Sequence, residues 1–375
     1  MKTAVTNFLF AKLGLGMKIP YLRRIVLYAN TVCNLKCPTC DIGLKNKKGI
    51  ARNLGDSKYL SNGLLQKILA DPVLRDRRLN FNFLMTEPLL SPNIFDLIKM
   101  VKDKGHTVLL TTNGYLLPEK AKGLIDAGLD RIQVSIDGPP ELHDALKGMR
   151  GSFRKIIEGI DLLNNSSKII IRVNCTVSNF NYKDLYELAC ILDKDVKIDR
   201  LKYQFLNFVS RQMADTQNEY YPIKQSVSSI NEKIIFDEID SSKLSKQIMM
   251  LKSAQFKNIA DIRVIPNISS PEDIEKWFNI NAAPIKGNNK CFIPFYQIAV
   301  KPDGNVVWHM RCYNYTIGNI NREGLKDIFY EGKKAKYFRE VLKKSSFCMP
   351  ACNRCCGVTT HRDFSHKRSI HPELS

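Results

Sequence analysis

The chain has 375 residues, a formal net charge of +20 and a hydrophobic fraction of 44%. That length accommodates one large domain and a small one, and no stretch approaches the roughly 18 apolar residues that a membrane-spanning helix needs. Seven of its 11 cysteines fall in C-x2-C and C-x3-C spacings, with no signal-peptide cleavage pattern, which argues for metal binding in a reducing cytoplasm and against a disulfide framework.

In chain order, Val5, Phe8, Leu9 and Leu13 have helical spacing, so residues 1–20 read as an amphipathic extension packed on the body of the protein, with peripheral membrane contact as the alternative. Over 21–208, β-rich apolar runs alternate with helical patterns. Strands are expected at 25–29, 79–85, 107–111, 131–136, 169–177 and 201–207, with helices near 61–70, 93–104, 118–127, 151–164 and 182–193. Alternation of this kind builds a parallel sheet through right-handed crossovers, so the fold class is α/β. Residues 209–285 are polar at first and then helical over 226–257, with a short strand at 261–266, and read as a bridge. In 286–360, Pro294 to Val300 and Asn305 to Met310 read as a hairpin about the turn Lys301-Pro302-Asp303-Gly304, followed by one basic helix from Leu325 to Lys344. Residues 361–375 form a polar tail whose His361, His366 and His371 read as solvated.

The chemistry begins with Cys33, Cys37 and Cys40, spaced C-x3-C-x2-C just past the first strand. Iron–sulfur clusters usually take four cysteines, so three on one loop leave one iron open to a small molecule. Cys175 and Cys190 read as packed thiols, His143 as a packing or capping residue and Asp303 as turn chemistry. The positive excess has two readings, surface charge on helix faces such as Lys333, Lys334, Lys336, Arg339, Lys343 and Lys344, or attraction to an anionic partner.

The segment Cys33-Asn34-Leu35-Lys36-Cys37-Pro38-Thr39-Cys40 resembles the signature of the radical S-adenosylmethionine (SAM) enzymes. The ordered series Leu84-Met85-Thr86-Glu87-Pro88, Thr111-Thr112-Asn113-Gly114 and Val134-Ser135-Ile136-Asp137-Gly138-Pro139 extends the resemblance through Asn174. It implies a partial (β/α)6 TIM-like barrel with its site at the carboxyl ends of the strands, a 4Fe–4S cluster on Cys33, Cys37 and Cys40, and SAM on the open iron. It also implies SAM contacts from Glu87, Asn113, Ser135 and Asn174, with Lys147 and Arg150 near the SAM carboxylate. Met85-Thr86 stand where the family has paired glycines, which predicts a shifted or weaker SAM fit.

The C-terminal unit resembles the SPASM and twitch modules, small α+β cysteine-rich domains that hold auxiliary clusters. That resemblance implies a 4Fe–4S cluster on Cys291, Cys312, Cys352 and Cys355, with Cys348 and Cys356 as alternates and a second auxiliary cluster or structural zinc as other readings. The family's Gly-x4-Cys step is stretched here, from Gly304 to Cys312.

The expected function is a radical SAM oxidoreductase or maturase. It would cleave SAM reductively to a 5′-deoxyadenosyl radical, abstract a substrate hydrogen, and oxidise or rearrange the substrate with help from the auxiliary cluster. Expected partners are an electron donor such as flavodoxin or ferredoxin and a substrate that is a peptide or an anionic small molecule, nucleotide-linked or lipid-linked. The short stretch before the first strand weighs against a leader-peptide recognition domain. A non-catalytic iron–sulfur binding or regulatory protein is the alternative from a different class.

Overall fold

A computed structural model describes residues 20–40, 58–166, 168–224, 226, 228–229, 239–279, 290–309 and 315–355. The amphipathic extension up to residue 19, the first part of the helix expected over 226–257, Cys312, Cys356 and the tail histidines lie outside the described residues.

The six expected strands form: β1 (Arg24–Tyr28), β2 (Asn80–Leu84), β3 (Thr107–Thr112), β4 (Arg131–Ser135), β5 (Ile170–Val177) and β6 (Arg200–Phe205). They are parallel and lie side by side in sequence order. Between them run α1 (Asn62–Leu69), α2 (Ile94–Asp103), α3 (Leu117–Asp126), α4 (Pro140–Lys147) and α5 (Ser152–Ser166), with α6 (Leu185–Asp195) before β6. Along β3, β4 and β5 buried and half-buried residues alternate. The fully buried set, including Val108, Ile132 and Val173, packs with Leu97, Leu124, Ile160 and Leu188 of the helices. Strand side chains alternate between faces, so the half-buried set lines the face turned away from the helices.

Helix α4 is not legible as a helix because prolines bracket its start. Proline is nonetheless well tolerated in a first turn, where the missing N–H has no helical partner. Gly148 ends it at φ +63°, a conformation glycine adopts at low cost.

The sheet extends beyond the six strands in both directions. On one side β7 (Ile262–Ile265) pairs in parallel with β6. On the other, β8 (Gln297–Val300) pairs in parallel with β1, Arg24 opposite Gln297. β9 (Asn305–Val307) and β10 (Gly318–Asn319) continue it antiparallel. Among the described residues the order is β10-β9-β8-β1-β2-β3-β4-β5-β6-β7, an open sheet, and the α/β partial-barrel reading is what the structure shows. The Asp303 turn is built as expected, with its Oδ1 accepting from the Asn305 N–H at 2.9 Å.

The bridge holds more helix than its sequence suggests: α7 (Arg211–Tyr220), α8 (Ser241–Ser253) and α9 (Pro271–Phe278). α7 is polar overall and buries little beyond Met213, Ala214 and Gln217, so its pattern is faint. α9 starts at an N-cap, the Ser270 hydroxyl accepting from the Asp273 N–H at 3.2 Å, and packs Trp277 and Phe278 on Phe205.

Three expectations need correction. After the short helix α10 (Ile293–Tyr296), the basic helix expected over 325–344 is two pieces, a π-helical turn at Lys326–Glu331 and α11 (Lys333–Lys344). They part at Gly332, where a Cβ would lie 2.8 Å from the carbonyl oxygens of Asp327 and Ile328. Arg339 is not surface charge: it is 4% exposed, donates to the Pro294 and Phe329 carbonyls at 2.8 and 2.6 Å, and lies over the rings of Phe329 and Trp308. Burial lowers its pKa to about 10. Cys190 is exposed, because Leu185, Leu188, Ala189 and Leu192 take the buried face of α6. Cys175 is packed as expected.

The C-terminal cysteine loop is fastened to the bridge by Arg354, a fully buried guanidinium that donates to the Lys276 and Trp277 carbonyls at the end of α9, both at 2.6 Å. These are last-turn carbonyls, where a cation also meets the negative end of the helix dipole. Arg354→Ala is expected to lower stability by about 2–4 kcal/mol, from two charge-assisted hydrogen bonds. Arg354→Lys should recover little, since one ammonium does not reproduce the guanidinium fork. Chemical denaturation of both variants checks this; a loss below about 1 kcal/mol in Arg354→Ala would refute it.

Candidate active site

The carboxyl ends of β1, β2 and β3 are tied together below the Cys33–Cys40 loop. Buried Asn30, at the end of β1, donates through Nδ2 to the Glu87 carbonyl at 2.7 Å and to Ser91 Oγ at 2.9 Å. Its Oδ1 accepts from the Val32 N–H at 3.0 Å and from the Thr86 hydroxyl at 2.5 Å. Within the cysteine loop Asn34 Oδ1 accepts from Asn113 Nδ2 at 2.8 Å, and Leu35, 1% exposed, anchors the loop. The three cysteines are half-buried. Burial pushes the Cys33 thiol up to about 11 and raises Cys37 as well, so iron ligation there releases protons.

Glu87 is fully buried and accepts three hydrogen bonds. Oε1 takes the Thr112 hydroxyl at 2.7 Å and the Leu89 N–H at 3.0 Å, and Oε2 the Asn113 N–H at 2.7 Å. The carboxyl therefore braces β2 against β3. Met85, where the family has glycine, keeps a glycine-like backbone at φ +101°. A side chain in that region costs of order 1–3 kcal/mol. With Cys40 and Leu84 it packs against the cluster of Val26, Tyr28, Ala299 and Val307, which joins β1 to the β8–β9 hairpin.

At the ends of β4 and β5 the structure gathers a buried ion pair. Lys147 Nζ meets Asp137 Oδ2 at 2.5 Å, and Asp137 Oδ1 accepts from the Thr176 N–H at 2.8 Å. Burial opposes both charges, but their mutual attraction prevails, holding Lys147 above and Asp137 below the ordinary value. His143 packs here as expected, accepting from the Asp137 N–H at 3.1 Å; burial and Lys147 lower its pKa to about 3. Ser135 and Asn174 are opposite one another across β4 and β5, and Asn174 Oδ1 is buried without a hydrogen-bond partner among the described residues. Arg150 is exposed beyond the end of α4 and is not gathered into this group.

The C-terminal cysteines meet at a second place. A pocket with about 600 Å³ of empty space, open mouth included, is lined by Cys291, Cys352 and Cys355 together with Trp308, His309 and Phe338. The Cys291 N–H donates to the Phe347 carbonyl at 2.7 Å, and Ser346 and Phe347 both have positive φ, so a strained turn after α11 brings the two cysteine segments together. From the bridge, Gln217 Oε1 accepts from the Ala351 N–H at 3.1 Å. Cys348 does not line the pocket. Among the described residues no three Cys, His, Asp or Glu side chains converge as a single-ion site. The fit to a larger group lies in thiol-bearing loops around open space and in the orphaned Asn174 oxygen.

Sequence reasoning missed Asn30, Asn181, Gln217 and Arg354. Asn181 donates to the Asp137 and Thr176 carbonyls at 2.7 and 2.9 Å. Polar residues just past apolar strands were the available signal for the first two; Gln217 and Arg354 gave none.

An open parallel sheet with a cysteine triplet after its first strand and a thiol-lined pocket at its hairpin edge defines a class, the radical SAM proteins with an auxiliary iron–sulfur module. Residues 28–189 match the radical SAM superfamily and residues 291–356 the SPASM iron–sulfur cluster-binding domain; the chain carries a radical SAM domain followed by a SPASM domain. Proteins of this kind bind 4Fe–4S clusters and SAM. Over 108 residues it is 40% identical to an AdoMet-dependent heme synthase of Methanosarcina barkeri, covering 28% of this chain and 31% of that protein. Over 181 residues it is 33% identical to a GTP 3′,8-cyclase of Aliarcobacter butzleri, covering 47% and 52%. The chain thus spans about a third to a half of these relatives. Its fold is similar to that of Streptococcus suis SuiB bound to precursor peptide SuiA, with TM-score 0.59 and 17% identity over 92% of this chain and 73% of that one. It is also similar to anSMEcpe with bound AdoMet, with TM-score 0.56 and 20% identity over 85% and 82%.

Burial raises the Glu87 pKa to about 7, against the lowering effect of its three donors. The folded chain then keeps a proton that the unfolded chain has lost. This contribution to stability is fully present below the unfolded value and is lost as pH rises through about 7. In urea unfolding of metal-free protein between pH 5 and pH 8, the parent is expected to lose about 2.5 kcal/mol relative to Glu87→Gln. Parallel pH profiles would show that Glu87 titrates as an ordinary carboxylate.

Proposed function

We propose that the chain cleaves SAM reductively at a cluster held by Cys33, Cys37 and Cys40 and acts on an anionic small molecule bearing carboxylates or phosphates. The observation that carries the substrate class is the inner face of β4 to β7. Its positions turned away from the helices include Arg131, Arg172, Arg200, Lys202 and Arg263, and these strands contain no acidic residue. Asp261, just before β7, takes Arg200 and Arg263 at 2.7 and 2.8 Å. In register, Ser135, Asn174, Lys202 and Arg263 make one row across the sheet. Relatives named for heme, Fe-coproporphyrin III and GTP are in keeping with an anionic substrate.

When bound, SAM on its cluster supplies the hydrogen-abstracting 5′-deoxyadenosyl radical, and an auxiliary cluster in the thiol-lined pocket an electron acceptor for the oxidised substrate. The chain's own residues bind and orient. Asn174 Oδ1 offers a buried acceptor to a hydroxyl or amino group of SAM, with Ser135 and Asn113 beside it. Lys147, buried and paired with Asp137, is the basic side chain at these strand ends, while the exposed Arg150 stands outside the group. Glu87 keeps the loop ends in place. Lys202 and Arg172 draw the substrate's anionic groups toward the inner face of the sheet. A low-potential donor such as flavodoxin or ferredoxin completes the partners.

Reduced, anaerobically reconstituted protein is expected to form 5′-deoxyadenosine from SAM, and Cys33, Cys37 and Cys40 replaced together by Ala to abolish it. No product with the cluster intact would favour a non-catalytic role. With Fe-coproporphyrin III and GTP as probes, Lys202→Gln and Arg172→Gln should each weaken binding about tenfold, the size of one charged contact, and salt should weaken parent binding steeply. Tight, salt-independent binding of a neutral peptide would overturn the substrate class.

A further inference from the structure

We propose that His309 is the fourth protein ligand of the auxiliary cluster, a histidine completing a set of three cysteines; this rests on the reading that the thiol-lined pocket holds a 4Fe–4S cluster. Such a cluster usually takes four protein ligands. Cys291, Cys352 and Cys355 line the pocket, and His309 lines it with them.

The hairpin explains why His309 arrives there. β9 returns antiparallel to β8, Val307 opposite Ala299, and Gln297 Nε2 donates to the Trp308 carbonyl at 3.3 Å. The residue after Trp308 therefore sits beside the start of β8, the end of the hairpin that Cys291 leads into. Cys312 comes three residues further along the chain. Counted from Gly304, the Gly-x4-Cys step of the resembled module also ends on residue 309, so the stretch seen in the sequence becomes a substitution of histidine for cysteine. The surroundings suit a neutral donor: Trp308 is fully buried, Phe338 is 2% exposed and Cys352 is 9% exposed. An imidazole in place of a thiolate lowers the negative charge to be buried, and histidine ligation raises the reduction potential of a cluster.

The test isolates this site by replacing Cys33, Cys37 and Cys40 with Ala and reconstituting anaerobically. Reduced protein labelled with 15N-histidine is expected to show, by pulsed electron paramagnetic resonance, the hyperfine coupling of a directly bound imidazole nitrogen. His309→Cys should keep about four irons per chain, lose that coupling and shift the midpoint potential downward. Cys312→Ala should keep both iron and coupling. Iron without any histidine coupling in the parent would overturn the ligand assignment while leaving the cluster in place, as would loss of iron in Cys312→Ala with none in His309→Ala. No iron in the parent background would overturn the cluster reading itself.

Discussion

A carboxyl group without access to water holds the reactive end of this fold together. Glu87 links the Leu89 turn, the Thr112 hydroxyl and the Asn113 backbone, while its own carbonyl takes Asn30 from the end of β1. Three strand ends are thereby fixed in one hydrogen-bonded knot, and the cysteine loop hangs from it through Asn34 and Asn113. Buried polar groups are costly unless paired, so each partner depends on the others. The glycine-like backbone of Met85 persists inside this frame because Thr86, its neighbour, is bonded to both oxygens of Asn30.

The barrel was legible because its strands and helices obey two clean periods, and because helix-facing positions such as Ile132 and Val173 are uniformly apolar. The cysteine loops stood out because thiols at short spacings have few structural uses. What the sequence hid depends on partners distant in the chain. Arg339 looks like one more basic residue on an amphipathic helix until Pro294 and Phe329 supply its acceptors. The pairing of β8 with β1 joins segments far apart in the chain, as the Arg24–Gln297 hydrogen bond records. No local pattern announces it. α4 was hidden by its prolines and α7 by a polar composition, since its few buried side chains meet Ala351.

The positive charge separates into populations with different physics. Lysines on α11 such as Lys333 and Lys334 are solvated and largely screened. Arg339 and Arg354 are buried and act as hydrogen-bond hubs, their charge spread over aromatic rings. The bases on the inner face of β4 to β7 stand at alternate positions of neighbouring strands, where side-chain direction is fixed by the pleat. Only this last population is organised by the sheet itself, and so it bears on what the barrel admits.

The parallel pairing of β1 with β8 also sets a ruler. The Cys33 loop leaves β1 at its carboxyl end, and Cys291 leads into β8 at its amino end, so the two thiol-bearing sites hang from opposite ends of one hydrogen-bonded strand pair. Each strand residue advances roughly 3.3 Å. The stretch of sheet between the two loops is therefore counted in residues of one paired unit. A register slip that preserved the facing of side chains would have to move in steps of two residues, about 7 Å at a time. The length of strand between the two cysteine loops is thus set by the register of β1 against β8.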